Sequence, residues 1–577
     1  MRTLALFALA AFAGSAQARI DYTATVELPD KLRIEIRVPT KDAVTKFQIP
    51  NFAPGHYVLL NVAADVKNVK AEGPEGLEAK VTKVDDNTYS VSTPARGMLT
   101  FRYEKTVRIN EGAFLYQGPY EYMYVLGRKD EPCTLAFNGP ENFKFAVSLD
   151  PAGTNKYWAP NYDVLADCPV TAGDLLMDNY TVAGKPHFIV LYGAAKSDVD
   201  RPRLTQICKA LTEEEVKFFG GAPYKRYMWH FRVSDSVDGG GGLEHLNSTN
   251  IGLASGLGPR VISVLSHEFF HLWNVKRIRS APLGPFDYLK IPKTGALWWL
   301  EGVTDYYADI ILARSKVLPE DNFWSSIVSN VRTTRSNENR LKISPYDSSF
   351  RVGEAAGGRG NSSGLLVNYY NTGWVLGLCL DLELRARTGG NWSLDDVTRA
   401  LFEMCKNDKP GFAEDEIRKQ LIRFGGAEMG PIYDKWVMQP GELPVEEQLA
   451  KAGYSYEETT IRTPDIGFTA TQSRTDVAMK VNSVKPFVNG QLKVGDLLVE
   501  INGIACVGKT ARAIRQGYDA GLAKQSFTEN ARLKIKLDGQ IVEVSISPEL
   551  MKTTVFVVKS VPTPTGLHLA IRKGWLD

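Results

Sequence analysis

The residues with the most specific chemistry are Ser266-His267-Glu268-Phe269-Phe270-His271, an HExxH stretch inside the run Pro259 to Ile278. On a helix, His267 and His271 leave one face about a turn apart. Two neutral imidazole nitrogens at that spacing bind one Zn²⁺. Glu268 points roughly 100° around the axis. That sets it beside the metal, where it can take a proton from a Zn-bound water. The competing reading is a buried helix that happens to carry two histidines. With 7 histidines in 577 residues, a chance pair bracketing a glutamate is the poorer explanation.

Zinc held by two histidines needs a third protein ligand and an open position. Leu297-Trp-Trp-Leu-Glu301-Gly-Val-Thr-Asp305-Tyr-Tyr307 supplies Glu301 as the candidate. Asp305 is one turn further on and shares its face. A metal-bound histidine donates its other N–H to a carboxylate or carbonyl, and Asp305 suits that task. Acidic residues on an otherwise apolar, Trp- and Tyr-rich helix need a reason to be there; a solvated face is the alternative.

Upstream, Gly239-Gly-Gly-Gly242-Leu243-Glu244-His245 combines a glycine run with a carboxylate. Glycines let backbone approach a substrate closely, and Glu244 can bind a cationic group; a flexible loop with an incidental carboxylate is an equal reading. Asn368-Tyr369-Tyr370-Asn371-Thr372-Gly373 opens a late helix. A tyrosine hydroxyl near a scissile carbonyl can stabilise the oxyanion of a tetrahedral intermediate, although two adjacent tyrosines at a helix start are by themselves more often packing residues. His56, alone in the turn-rich stretch Pro50 to Tyr57, reads as structural or solvated rather than as a ligand.

The elements that must position these residues follow from patterning. From Ile20 to about Val190, short period-two runs such as Leu32–Val38, Thr88–Ser92 and Leu99–Tyr103 are broken by turn residues, which predicts strands and a β-sandwich. From His187 the pattern changes. A buried strand, an amphipathic helix over Asp200 to Phe219 and a strand over Tyr227 to Val233 precede helices over 259–278, 296–315, 323–335, 367–387 and 393–406. Strands first and helices after predict an α+β catalytic domain. Pro259 suits a first helical turn, where a missing N–H costs nothing. From about Ile461 strands return around one helix over Ala511 to Ala520, followed by a last strand and a polar tail.

Composition is globular, with 44% hydrophobic and 23% charged residues, and a net charge of +2 gives no reason to expect nucleic acid as a partner. No apolar run of membrane-spanning length follows the N-terminal segment. That segment has Arg2, a short apolar core over Leu4 to Phe12 and a small-x-small site at Ala16-Gln17-Ala18, which reads as a cleavable signal peptide. A periplasmic or secreted protein is expected. The six cysteines form no CxxC and read as buried small residues.

The order of Gly-Leu-Glu-His, HExxH with Leu-Trp-Asn-Val-Lys-Arg, and Trp-Leu-Glu-Gly-Val-Thr-Asp-Tyr-Tyr resembles the glycyl aminopeptidase family, metallopeptidase family 61 of the gluzincin clan. Pro54-Gly-His-Tyr57 and Leu176-Met-Asp-Asn-Tyr180 extend the resemblance loosely into the N-terminal part. The resemblance implies His267, His271 and Glu301 as ligands of one Zn²⁺ and Glu268 as general base. Gly242-Leu243-Glu244-His245 is similar to an exopeptidase motif whose glutamate holds the substrate's free α-amine. Tyr370 matches a Tyr-x-x-Gly oxyanion tyrosine, with Tyr369 as the alternative. Gly490 to Gly503 and Asp465-Ile-Gly-Phe468 resemble a PDZ signature, which implies a peptide ligand added to a sheet edge.

The expected architecture is multidomain α+β. It comprises a signal peptide (1–18), a β-sandwich-like N-terminal domain (19–186), a thermolysin-like, mainly helical zinc peptidase domain (187–458), a PDZ domain (459–550), and a terminal strand and tail (551–577). The expected activity is removal of N-terminal Gly or Ala from peptides with a free N-terminus. A zinc endopeptidase with PDZ-delivered substrates and an inactive peptide-binding scaffold are the alternatives.

Overall fold

The computed structural model describes residues 19–576 apart from 94–96, 108, 110, 111, 235–239, 255, 355–365, 407–409, 473–477, 489, 509, 510, 527 and 538. The expected signal peptide and Gly239 lie outside the described residues. The chain divides into two compact units, one of residues 1–51, 60–109 and 115–170, the other of residues 52–59, 110–114 and 171–577.

In the first unit, period-two patterning becomes buried and exposed faces. Strand Lys31–Pro39 buries Leu32, Ile34, Ile36 and Val38 and exposes Arg33 and Arg37. It pairs antiparallel with Ile20–Glu27 and Met98–Thr106, inside a seven-stranded sheet. A four-stranded sheet is built from Lys80–Lys83, Thr88–Ser92, Val44–Gln48 and Tyr124–Val125. Phe47 of this sheet stacks on Phe101 of the larger one with ring centroids 4.0 Å apart. The two inner faces therefore share one core.

The second unit is built on a five-stranded sheet in the order Leu176–Val182, Lys185–Tyr192, Tyr227–Ser234, Ser248–Ala254, Gly242–His245. The three middle strands run parallel, and both outer pairs are antiparallel. Parallel neighbours need a crossover, supplied between the second and third strands by helix Arg201–Phe219. Asp200 caps its start by accepting from the Arg203 N–H at 3.1 Å, and Gly220 ends it at φ 73°. Gly242–His245 is left on the sheet edge. Helices Pro259–Phe270, Thr304–Arg314, Glu320–Ser336, Tyr369–Thr388 and Leu394–Cys405 follow, packed through one aliphatic and aromatic core.

Towards the C-terminus, strands Phe468–Gln472, Met479–Val484, Leu497–Ile501, Ala531–Leu537 and Gln540–Ile546 form an antiparallel sheet with helix Ala511–Ala523. This module has its own core, including Met479, Val481, Leu498, Ile501, Ile514 and Ile535. A two-stranded ribbon, Tyr454–Asp465 against Glu549–Ser560, brackets it. The segment read as a polar tail is different in the structure. It forms helix Gly566–Arg572 and then buries Trp575, whose indole donates to the Tyr306 hydroxyl at 2.9 Å. One aromatic ring in a polar stretch has no period to announce it. All six cysteines are buried and unpaired.

Candidate active site

Helix Pro259–Phe270 starts with Pro259 in its first turn and ends with His271 as its C-cap, still in the αR region at φ −59°, ψ −20°. The helix is shorter than the patterning over 259–278 suggests, because the chain turns back at Val275, which has φ 127°. The turn has a consequence for His271. It brings the Asn274 carbonyl to 2.7 Å from His271 Nδ1. Asn274 also donates to the Trp299 carbonyl at 3.1 Å and to the Thr304 hydroxyl at 2.9 Å. The histidine helix is thereby tied to the segment that carries Glu301.

Glu301 lies in a π-helical stretch, Trp298–Val303, that continues into helix Thr304–Arg314. Such bulges concentrate at functional sites because they re-aim side chains. Its carboxylate is 3.3 Å from His271 Nε2 and 3.7 Å from His267 Nε2. The ligand atoms of His267, His271 and Glu301 all lie within 4.8 Å of one another, forming a group that can hold a metal ion. Asp305 reaches His267 Nδ1 at 2.7 Å.

The donor set calls for a cation. Both Nδ1 atoms face oxygen acceptors, so both Nε2 atoms turn lone pairs toward each other, 2.7 Å apart. Only a metal ion or a proton between them makes that stable. The electrostatics point the same way. Burial works against charge on His267, but Asp305, Glu301 and Glu268 outweigh it and raise its pKa well above the usual value. Burial likewise opposes ionisation of Glu301, yet His271 and His267 hold it far below the ordinary carboxylate range. Glu268 is pushed up to about 7, chiefly by burial.

Glu268 is 6% exposed and lies against the edge strand Gly242–His245. A Cβ on Gly242 would sit 2.3 Å from the Glu268 side chain, so only glycine allows this approach. Leu243 and Glu244 follow on the same strand. Glu244 is 6% exposed, with Lys276 Nζ 4.0 Å from its carboxylate. His245 is buried on the strand. Tyr370 is partly exposed, with its ring 6.1 Å from the His267 ring, whereas Tyr369 is 2% exposed and packed against Tyr370 at 4.9 Å. Tyr370 is placed by a close crossing of two helices. A Cβ on Gly302 would fall 2.4 Å from Gly373 Cα, and one on Gly373 2.1 Å from the Trp298 carbonyl.

Two family models match the sequence, M61 glycyl aminopeptidase over residues 260–376 and Peptidase M61 N-terminal domain over residues 19–174. The chain carries M61 peptidase domains. It is a peptidase. No curated protein matches it. A crystal structure of an aminopeptidase N family protein from Idiomarina loihiensis is similar over 97% of this chain and 100% of that one, at 21% identity and a TM-score of 0.74. The two share a fold over the aligned residues. An M1 zinc metallopeptidase from Deinococcus radiodurans is a looser likeness, at 13% identity and a TM-score of 0.46, covering 74% of this chain and 95% of that one. Yeast LTA4 hydrolase in complex with bestatin is similar at 15% identity and a TM-score of 0.47, covering 74% and 68%.

Three features of the peptidase site are not readable from local sequence. Lys276 faces Glu244 although it follows the HExxH helix. Glu215, fully buried on helix Arg201–Phe219, lies 3.5 Å from the Ser266 hydroxyl behind that helix. Tyr57, 4% exposed, faces Glu301 and Glu244. Its block, Pro54-Gly-His-Tyr57, stands out in the sequence but carries no local sign of what it packs against.

Proposed function

We propose that this chain is a zinc aminopeptidase that removes small N-terminal residues, Gly or Ala, from peptides. The observation that carries the reading is Glu244. It is a nearly buried carboxylate on an edge strand, one residue beyond Leu243 and two beyond the glycine on which Glu268 rests. An edge strand offers unpaired backbone groups to an extended peptide. A carboxylate beside it suits the ammonium at the peptide's start.

His267, His271 and Glu301 would hold one Zn²⁺, since two imidazoles and a carboxylate form a common catalytic zinc set. When bound, zinc supplies Lewis acidity, lowering the pKa of water and polarising a carbonyl. Glu244 holds the free amine and so fixes which bond is cut. Glu268 takes the proton of the attacking water and later delivers it to the leaving amine. Its pKa near neutrality suits both transfers. Tyr370 donates to the oxygen of the scissile carbonyl as negative charge develops there. Its partial exposure beside His267 favours it over buried Tyr369.

Export to the periplasm or medium is part of the proposal and rests on the signal-like segment 1–18. So is a PDZ role for the C-terminal module. There strand Phe468–Gln472 lies on a sheet edge beside helix Ala511–Ala523, the arrangement that adds a peptide as an extra strand.

The test compares a Gly- or Ala-leading peptide with its N-acetylated form, with and without a chelator. Cleavage confined to the free amine and abolished by the chelator is expected. Equal cleavage of both forms would remove the amine-anchoring role of Glu244 and favour an endopeptidase.

A further inference from the structure

The segment 52–59 precedes the catalytic unit in the chain by more than a hundred positions, yet it packs with that unit and is anchored there at its start. The Phe52 N–H donates to the Tyr288 carbonyl at 2.9 Å, and the Phe52 ring lies 6.2 Å from that of Phe286. A bridge between Phe52 and Leu59 closes the segment into a loop. At its tip the His56 N–H donates to the Ala53 carbonyl at 3.1 Å. The tip uses backbone that side chains rarely adopt, with Gly55 at φ 83° and Tyr57 at φ 49°. A bulky residue held in the left-handed region costs energy, and such positions persist where surrounding structure fixes them, often at functional sites.

The left-handed turn delivers two groups to the site. Gly55 lies against Leu243 and Glu244. A Cβ there would be 2.5 Å from Leu243 Cδ1 and 3.1 and 3.2 Å from the two Glu244 carboxylate oxygens. Buried Tyr57 lies close to the Glu301 carboxylate, with Tyr369 and Glu244 also near it. Tyr370 lies near both Glu301 and Tyr57. His267 and His271 both face the same Glu301 oxygen, Oε2, at 3.7 and 3.3 Å, so the other oxygen is the one open to a hydrogen bond donated by a neutral phenol.

We infer that the Pro54–Tyr57 turn is a working wall of the active site. In this arrangement Tyr57 is a positioning residue for the metal-ligand carboxylate Glu301, and Gly55 sets the clearance around the amine-binding Glu244. The inference rests on the zinc aminopeptidase reading and adds to it a group far upstream in the chain. The two legs of the turn make separable demands. Tyr57 acts on metal retention and on the chemical step, through Glu301. Gly55 acts on substrate binding, through Glu244 and Leu243.

The experiment measures zinc affinity of the full chain by competition with a chromogenic chelator, alongside kcat and KM on a Gly-leading peptide and the thermal midpoint. Tyr57→Phe keeps the ring and removes the hydroxyl. It is expected to weaken zinc binding by roughly 10-fold or more, the usual effect of losing a hydrogen-bond partner of a metal ligand, and to lower kcat. Gly55→Ala is expected to raise KM several-fold and leave zinc affinity as in wild type. Wild-type zinc affinity and kcat in Tyr57→Phe would overturn the positioning role, whatever happens to the thermal midpoint. An unchanged KM in Gly55→Ala would overturn the clearance role. If the wild-type protein itself retains no zinc, the metallopeptidase reading fails and takes this inference with it.

Discussion

At His267 the contribution of one residue can be isolated. Its Nδ1 faces Asp305 at 2.7 Å and its Nε2 faces the cluster, so the carboxylate fixes which nitrogen carries the lone pair. One turn beyond Asp305 sits Asp309, whose pKa burial pushes up to about 7 and whose carboxylate accepts from the Trp374 indole at 2.9 Å. Two acidic residues on one helix therefore have different tasks, one oriented at a ring nitrogen and one packed as a hydrogen-bond acceptor. Asp305→Asn keeps the size and one acceptor but removes the charge that stabilises a polarised imidazole. Zinc affinity is expected to fall by about 10-fold, with activity recovered by added zinc. Chelator competition checks this, and an affinity equal to wild type would reduce Asp305 to a solvated neighbour.

At the scale of elements, the site depends on how closely helix Tyr369–Thr388 approaches the stretch Trp298–Val303. Gly373 and Gly302 meet at a distance that no side chain permits. Gly373→Ala must therefore part the two elements, moving Tyr370 away from His267, at a cost of roughly 1–3 kcal/mol for the overpacking. Gly377 lies one turn further along, and the atoms nearest to a Cβ there belong to the Tyr306 side chain, at 3.1 Å. Gly373→Ala is expected to lower both the thermal midpoint and kcat much more than Gly377→Ala does; equal effects from the two would show that the crossing does not set the Tyr370 position. The same elements show what a sequence reveals. The histidine pair was legible because a four-residue spacing has one meaning on a helix. Glu301 was legible because an acid among tryptophans needs a partner. Strands such as Lys31–Pro39 were legible through their alternation. The turn back at Val275 was not, since it answers to the His271 hydrogen bond rather than to any apolar period. Tyr57 was not, because periodicity describes a segment's own faces and is silent about contacts to residues hundreds of positions away.

At the scale of the molecule, the last residues of the chain support the helix that carries Asp305. The Trp575 indole donates to the Tyr306 hydroxyl across 269 positions, and Tyr306 in turn donates to Asp381 at 2.8 Å. Arg314 and Arg385, both buried, donate to the carbonyls of Gly574 and Lys573 at 2.9 and 3.1 Å respectively. Asp381 also accepts from Arg385 at 3.0 Å and from the Leu394 N–H at 2.8 Å, so three helices meet at one carboxylate and the terminal segment joins them through Tyr306 and Arg385. Tyr454 pairs with Ser560 in the ribbon that brackets the C-terminal module, so the terminal segment reinforces the same end by which the ribbon joins the catalytic unit. Removing the indole leaves a cavity and takes away the donor to the Tyr306 hydroxyl, whose own bond to Asp381 remains. Trp575→Ala is expected to cost about 3–5 kcal/mol, the usual range for an aromatic-to-alanine change in a core. The loss should fall on the catalytic unit, because the indole belongs to that unit's core and, among the described residues, the module bounded by Phe468 and Ile546 has a separate core of its own. Thermal unfolding followed by zinc release should therefore shift down, while the protease resistance of the module is unchanged. If zinc release keeps its wild-type midpoint, the terminus is an ornament on the catalytic unit rather than part of its core.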